Sequence, residues 1–483
     1  MKRIVNVLGK LSWGRRAYAG FVLCATTAIV LPAQTFTMLF SFDGTDGETP
    51  EARLVQATNG DFYGTTHFGG AKGSGTVFKI IPGGTLTMLH SFCSQSGCTH
   101  GKFPNGLVQA ANGDLYGTTE RGGANSYGTV FTITTSGILT TLYSFCSQTN
   151  CADGDYPYSG LVQATDGNLY GTTSRGGANG YGTVFQITPR GALTTLYSFC
   201  SQSGCADGEY PYAELIQATN GDLYGTTNGG GANGFYGTVF QITLSGILTT
   251  LYSFCSQTNC TDGDYPYSGL IQATDGNLYG TTEGGGANGG GTVFEITPSG
   301  TLTTLYSFCS QSECMDGIGP SAGLVQATDG NLYGTASGFF GTVFKITPNG
   351  MLTTLHSFCS ESGCVDGKNP KAGLVQATNG DIYGTTEFGG AHGSGAIFRL
   401  DVGLGPFVEA QPSSGNVGAV VNILGTDLTG ATSVSFDGTA AVFAVVGHSL
   451  ITTTVPAGAN SGEVQVVTPS GTLSSNVPFL VVP

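Results

Sequence analysis

Along most of the chain, apolar and polar residues alternate with period two in short runs, and turn residues punctuate them. The run LVQAT (161–165) is followed by NLYGTT (168–173), GTVFQIT (182–188) and ALTTLYSF (192–199). Each predicts a strand, and the four positions are denoted a, b, c and d. Asp166-Gly167 separates a from b, and Pro189-Arg190-Gly191 separates c from d. Asp-Gly and Asn-Gly accept positive φ at both central positions, which predicts two-residue hairpin turns between a and b. The quartet is therefore a four-stranded antiparallel meander.

The quartet recurs. Leu-[Val/Ile]-Gln-Ala begins at Leu54, Leu107, Leu161, Leu215, Leu270, Leu324 and Leu374, at intervals of 53, 54, 54, 55, 54 and 50 residues. A sheet that is apolar on both faces cannot bury itself, but copies stacked radially can, so seven units predict a seven-bladed β-propeller. The ends of the repeat region favour a ring over a solenoid. TFTMLFSF (35–42) is a d strand with no parent, and AIFRL (396–400) is a c strand with no d after it. The first can complete the last blade, whereas a solenoid would want polar caps. Meander parity places the tight a–b and c–d turns on one rim. The longer b–c and d–a loops share the other rim, where binding residues are expected.

The d–a loops repeat a phrase such as FCSQSGCADGEYPY (199–212). The pairs Cys93/Cys98, Cys146/Cys151, Cys200/Cys205, Cys255/Cys260, Cys309/Cys314 and Cys359/Cys364 account, with Cys24, for all 13 cysteines. Six local pairs of this kind predict six disulfides in an exported protein, each closing a short loop and contributing about 2 kcal/mol on the chain-entropy estimate. Zinc would need four ligands, and each blade offers two thiols and no spaced histidine.

After the cysteines comes Asp-Gly-x-x-Pro. In three units it is richer: Asp153, Asp155, Tyr156 and Tyr158; Asp207, Glu209, Tyr210 and Tyr212; Asp262, Asp264, Tyr265 and Tyr267. Carboxylates accept hydrogen bonds from hydroxyls, and tyrosine offers a flat face with a polar tip, so these twelve residues are candidate sugar contacts. A turn made by Asp-Gly and closed by Pro, with tyrosines packed between blades, is the competing reading, and a calcium site is a third. No other metal or cofactor is expected. The glycine-rich b–c loops, such as RGGANGYG (175–182), lack the Gly-Lys-Ser/Thr ending of a phosphate loop.

Composition narrows the function classes. Eighty glycines and 10% charged residues suit many turns and short buried strands rather than helices. Residues 1–33 carry five basic residues, no acid and the apolar stretch GFVLCATTAIVLP, the pattern of a signal peptide. Without them 11 basic and 31 acidic residues remain, a formal charge of −20. Such a surface repels nucleic acid. No later segment predicts a membrane span.

Catalytic motifs of the His-Glu-x-x-His and Gly-x-Ser-x-Gly kinds are absent from the sequence. Near-identical blades suit repeated binding or plain structure better than one convergent catalytic centre, so no enzyme activity is expected. Glu120, Glu214, Glu283 and Glu387 depart from the repeat and stand out. His90 and His356 replace the usual d-strand tyrosine and are expected to pack.

After DVGLG (401–405), a linker, residues 406–483 alternate with turn signals every 8–12 residues and predict a small β-sandwich. VNILGTDL, SVSFDGTAA, TVPAGANSGEVQVVTPSG and PFLVV in this stretch resemble the IPT/TIG family of immunoglobulin-like domains, which implies a spacer or contact module at a cell surface. The repeats over 35–400 resemble the bacterial GloVer (Gloeo-Verruco) tandem repeat, which implies an exported or surface-anchored protein.

The sequence thus predicts an all-β, monomeric protein with a signal peptide at 1–33, a propeller at 35–400 and an immunoglobulin-like domain at 406–483. It is expected to be secreted or held at the cell surface, or to reside in the periplasm. It should bind a glycan or an extracellular protein through its long-loop face. A carbohydrate-active enzyme and a purely structural surface protein are the alternatives.

Overall fold

The computed structural model describes residues 34–482, apart from Gln95. The expected leader lies outside the described residues. In the third repeat Val162–Gln163, Leu169–Thr173, Thr183–Ile187 and Leu193–Ser198 pair in that order, all antiparallel. The pattern holds throughout, giving seven four-stranded sheets. Gly171 sits mid-strand because a Cβ there would stand 2.7 Å from Leu161 and 2.8 Å from Phe185, which close over it from the strands on either side.

Each sheet buries both faces against its neighbours. Tyr170, Val184 and Phe199 of the third blade meet Leu215, Leu223, Phe240 and Ile242 of the fourth, all fully buried. The same core forms where the last blade meets the first, from Phe42, Tyr383 and Ile397 with Leu54, Phe62, Phe78 and Ile80. The ring closes there. Thr35–Ser41 runs antiparallel to Ala396–Asp401, with Phe36 opposite Leu400 and Ser41 opposite Ala396, and supplies the missing d strand of the seventh blade.

Polar side chains lock successive blades together. Gln217 Oε1 accepts the Thr165 N–H of the preceding blade at 2.8 Å, and its Nε2 donates to Gly221 in its own turn at 2.8 Å. The equivalent glutamine does this in every blade, and Gln56 accepts the Thr378 N–H at 2.9 Å across the closure. A second series runs from the b strands: Thr226 donates to the Ser268 carbonyl at 2.9 Å, and Thr385 to the Pro50 carbonyl at 2.8 Å. The Gln of Leu-x-Gln-Ala is thus an inter-blade clasp.

The tight turns differ from expectation. Ala164 bonds Asn168 across three residues, and Gly167 donates back to Ala164 with φ at 81°. Only the glycine takes the left-handed conformation, so the link is the three-residue turn with a glycine bulge rather than a two-residue hairpin turn. The c–d link has the same form, with Gly191 at φ 91°.

The cysteine loops also differ from expectation. The sequence predicts strands and plain loops only, whereas the structure places Cys98, Cys151, Cys205, Cys260, Cys314 and Cys364 at the ends of three-residue 3-10 turns. Two cysteines five positions apart can bond only if the chain between them doubles back. The 3-10 turn supplies that reversal, and its i to i−3 bonds run from the N–H groups of Cys151, Cys260, Cys314 and Cys364 to the carbonyls of Gln148, Gln257, Gln311 and Glu361, each at 3.0 Å. The reversal is left-handed: the middle residue of each turn, such as Asn150 at φ 58° and Gly204 at φ 68°, takes positive φ, and so does the second cysteine, from 48° at Cys98 to 53° at Cys151, Cys205 and Cys364. Cys98, Cys151, Cys260, Cys314 and Cys364 are half-buried, while Cys205 is buried.

Two further four-stranded sheets follow the ring. One is built from Val408–Gln411, Val420–Gly425, Phe443–Val445 and Leu450–Thr454, the other from Ser433–Phe436, Thr439–Ala440, Val464–Thr468 and Gly471–Ser474. Their inner faces share a core that includes Val421, Ile423, Phe436, Val466 and Phe479. This sandwich seats on the tight-turn rim: Ser449 donates to Thr58 at 3.0 Å and the Phe407 N–H to Thr378 at 3.0 Å. Residues 409–414 line the lower end of the axial channel with the a strands of the ring. Among the described residues no helix is long and apolar enough to cross a membrane.

Candidate binding funnel

The d–a loop begins as a stapled turn. The predicted pairs Cys93–Cys98, Cys146–Cys151, Cys200–Cys205, Cys255–Cys260, Cys309–Cys314 and Cys359–Cys364 are all bonded, with Cα atoms 3.9–4.2 Å apart. They shape the loop from its outer end and contribute no ligand-facing group. The aspartate that follows turns inward. Asp207 accepts hydrogen bonds from Tyr197 Oη at 2.8 Å, Ser201 N and Oγ at 2.9 Å, and Gln202 N at 3.1 Å. Asp153 and Asp262 are held in the same way, and all three are fully buried. Of the predicted ligand contacts, these three occupy the loop's own interior, with their oxygens engaged by the turn that they shape. His90 and His100 replace the Tyr–Asp pair in the loop that leads from the first blade into the second, with rings 5.7 Å apart.

The next acid of each phrase pairs by its backbone with the end of the b strand: Asp155 with Arg175, Glu209 with Gly229 and Asp264 with Gly284. Burial raises all three carboxyls above their ordinary range, with Arg175 opposing the effect at Asp155. Tyr156, Tyr210 and Tyr265 adopt positive φ, and their N–H groups donate to Tyr127, Tyr181 and Tyr236 in the preceding blade. They tie loop to loop. Among the described residues, the group close enough to hold a metal ion is Cys200, Cys205 and Glu209, and its two sulfurs are bonded to each other.

Tyr158, Tyr212 and Tyr267 point elsewhere. They stand three residues before their a strands, at the mouth of the axial channel, and line a cavity of about 680 Å³. Tyr212 lies 5.2 Å from each of the other two, edge-on to Tyr158 and stacked with Tyr267. Three blades thus contribute one continuous aromatic wall. Burial with the charge of Glu120 pushes the Tyr158 hydroxyl up to about 12.

Facing the wall is a charged arc from the seventh, first and second blades. Lys371 Nζ lies 2.9 Å from Glu387 and 3.8 Å from Glu51. His67 Nε2 lies 3.5 Å from Glu120, which also pairs with Arg121 at 2.9 Å. Burial, together with the neighbouring Glu387 and against the pull of Lys371, raises the Glu51 carboxyl to about 7. Burial works against the Lys371 charge, but its bond to Glu387 and the charges of Glu51 and Glu283 outweigh it and hold the ammonium above its usual value. Burial lowers His67, with Glu120 acting the other way.

These groups occupy equivalent positions of the repeat, which explains how near-copies build an asymmetric site. Three residues before the a strand stand Glu51, Pro104, Tyr158, Tyr212, Tyr267, Ser321 and Lys371. Directly after the b strand stand His67, Glu120, Ser174, Asn228, Glu283, Ser337 and Glu387. One residue before the a strand the first blade has Arg53 and the fourth Glu214, while Gly106, Gly160, Gly269, Gly323 and Gly373 fill the other places. The repeats diverge at the funnel. Unlike groups thus meet near the axis although the blades are near-copies, because the divergent positions line one cavity. Of the residues flagged in the sequence, Glu214 and Glu283 line the cavity, while Glu120 and Glu387 brace His67 and Lys371 beside it. Glu51, Arg53, His67 and Lys371 were missed, and repeat alignment three residues before, one before and after these strands is the signal that exposes them.

Sequence comparison accords with this architecture. The family model for the Gloeobacter/Verrucomicrobia repeat matches residues 8–152, 94–270, 147–339 and 256–439, four overlapping stretches that together cover most of the chain. The chain belongs to the Gloeobacter/Verrucomicrobia repeat family. In this repeat-family protein, the model for the IPT/TIG domain matches residues 407–481, the sandwich. Comparison with curated proteins finds no match.

Among solved structures, the repeat-family protein is similar to the extracellular domain of a hybrid two-component system from B. thetaiotaomicron, with 12% identity and a TM-score of 0.48. That match covers 90% of this chain and 54% of the other, so the chain spans about half the length of that structure. A gluconolactonase from Xanthomonas campestris matches with 12% identity and a TM-score of 0.39, over 77% of this chain and 90% of the other. A Bacteroides uniformis protein assigned as a 6-phosphogluconolactonase matches with 18% identity and a TM-score of 0.42, over 63% and 84%. At these identities nothing about ligand or activity carries over.

Proposed function

We propose that this repeat-family protein is an extracellular binding module that receives a glycan at the axial funnel on its long-loop face. The observation that carries the reading is the wall of Tyr158, Tyr212 and Tyr267 set across a cavity from the hydrogen-bonding arc of Glu51, His67 and Lys371. Sugar rings offer an apolar face for stacking and hydroxyls for carboxylates and amines, and a cavity of this size suits a short oligosaccharide. Six disulfides and the IPT/TIG domain fit an extracellular protein. Calcium has no role in this reading.

A glycan array with the chain lacking residues 1–33, followed by titration calorimetry on the best hits, tests it. Saturable binding that Y212A/Y267A weakens about tenfold or more, from the loss of two stacking faces, is the expected result. Binding unmoved by the tyrosine changes, or by a protein partner alone, would defeat the reading, and no saturable binding would leave a structural surface element.

Convergence of unlike groups favours one second reading, a carbohydrate-active enzyme. A carboxyl near neutrality beside a carboxylate and an ammonium is the equipment of acid–base chemistry. Product analysis on bound glycans, with E51Q abolishing turnover while retaining binding, separates catalysis from capture.

A further inference from the structure

At its base the funnel narrows to the ring position just before the a strands. Five blades have glycine there, and the two side chains that remain, Arg53 and Glu214, lie against those glycines. A Cβ on Gly160 would stand 2.9 Å from Glu214 Oε1, and one on Gly373 would stand 3.5 Å from Arg53 Cδ. The glycines leave these two groups the space of the neck.

Arg53 faces both the funnel and the lower part of the channel. Glu214 and Glu409 are near enough to act on its charge, since each feels Arg53 as a stabilising cation. Even so, among the described residues Arg53 has no ion pair and no side-chain hydrogen bond, unlike Arg121 or Lys371. A guanidinium carries five N–H donors and no acceptor, arranged to grip a carboxylate with two parallel bonds. Burial raises the Glu214 carboxyl, which suits it to meet a hydroxyl rather than to pair with the arginine.

Resting on the glycan reading above, we propose that the neck is a subsite for an acidic sugar: Arg53 grips the carboxylate of a uronic acid residue, Glu214 meets a neighbouring hydroxyl, and the tyrosine wall stacks the sugars behind it. Charge sets the class of anion. Glu51, Glu214, Glu283 and Glu387 gather around this cavity, and one free arginine balances one negative charge. A phosphate monoester, with close to two charges at neutral pH, would meet net repulsion there.

Titration calorimetry on the chain lacking residues 1–33 tests the assignment. The probes are an α-1,4-linked galacturonate trisaccharide, its neutral galactose counterpart and galactose 6-phosphate. The galacturonate should bind at least tenfold tighter than the neutral sugar, with the phosphate weakest. R53Q should remove that preference, while R53K should retain part of it. A circular dichroism spectrum and melting curve matching the parent establish that R53Q is folded. Equal affinity for acidic and neutral sugars, or a preference untouched by R53Q, overturns the neck subsite alone. Failure of both trisaccharides and of the whole glycan array overturns the glycan reading with it.

Discussion

Phe42 directly follows the strand that closes the ring, and it is fully buried, with its ring 5.3 Å from Phe40 and 5.3 Å from Phe78. Phe254 occupies the same place in the fourth blade, equally buried and 5.3 Å from Phe294, but its blade is continuous in sequence. Truncating a buried phenylalanine to alanine costs about 3–5 kcal/mol, from lost transfer energy and the cavity left behind. If the closure is as well packed as the other junctions, F42A and F254A should each fall in that range and agree within about 1 kcal/mol. Equilibrium unfolding in guanidinium, with disulfides intact and the slope against denaturant checked for each variant, measures both. A frayed terminal strand would give F42A a cost below about 1 kcal/mol while F254A remained expensive, and that outcome would refute the closed ring.

Two pH effects of opposite sign follow. Burial opposes the Asp316 charge, but hydrogen bonds from Ser310, Tyr306 and Gln311 outweigh it and hold the carboxyl below its ordinary 3.8. The folded state therefore binds its proton less readily than the unfolded chain; this stability is present above pH 3.8 and is lost on acidification below it, a loss that melting curves should show diminished in D316N. Glu51 behaves oppositely: raised from 4.5 to about 7, it favours the folded state below 4.5 and loses that contribution as pH rises through about 7, so E51Q should flatten the stability profile across this window. A profile unchanged by E51Q would show that Glu51 is not held in its protonated form.

The ring was legible because one phrase, Leu-[Val/Ile]-Gln-Ala, returns in register and because an unparented d strand and an unfinished c strand bracket the repeats. The turn type was not. Asp-Gly is compatible with two turn lengths, and the choice depends on whether Ala164 pairs with Asn168, a matter of register that the dipeptide does not encode. Cysteine spacing revealed the pairing but not the 3-10 turn beneath it, because three residues are too few to show a helical period. The site was half legible. Tyrosine and aspartate alternate in the phrase Asp-Gly-Asp-Tyr-Pro-Tyr, but the chain reverses within it, so Asp153 and Tyr158 face opposite ways: one into the stapled turn, the other toward the axis. Arg53 and Lys371 drew no notice because their significance is radial. A lone cation in a linear string looks like ordinary surface until seven aligned positions are bent into a circle.

Ring closure also orders events during synthesis. The strand at Thr35–Ser41 is made early, and its partner at Ala396–Asp401 exists only after six complete repeats and most of a seventh have followed. Until then the nascent chain carries an unpaired edge, the kind of surface that invites wrong pairing and calls for a holdase. The cysteine staples span only five positions each, so they can form one by one as each loop emerges. Closure therefore waits for residues 396–401, and a chain truncated before residue 396 is an open arc.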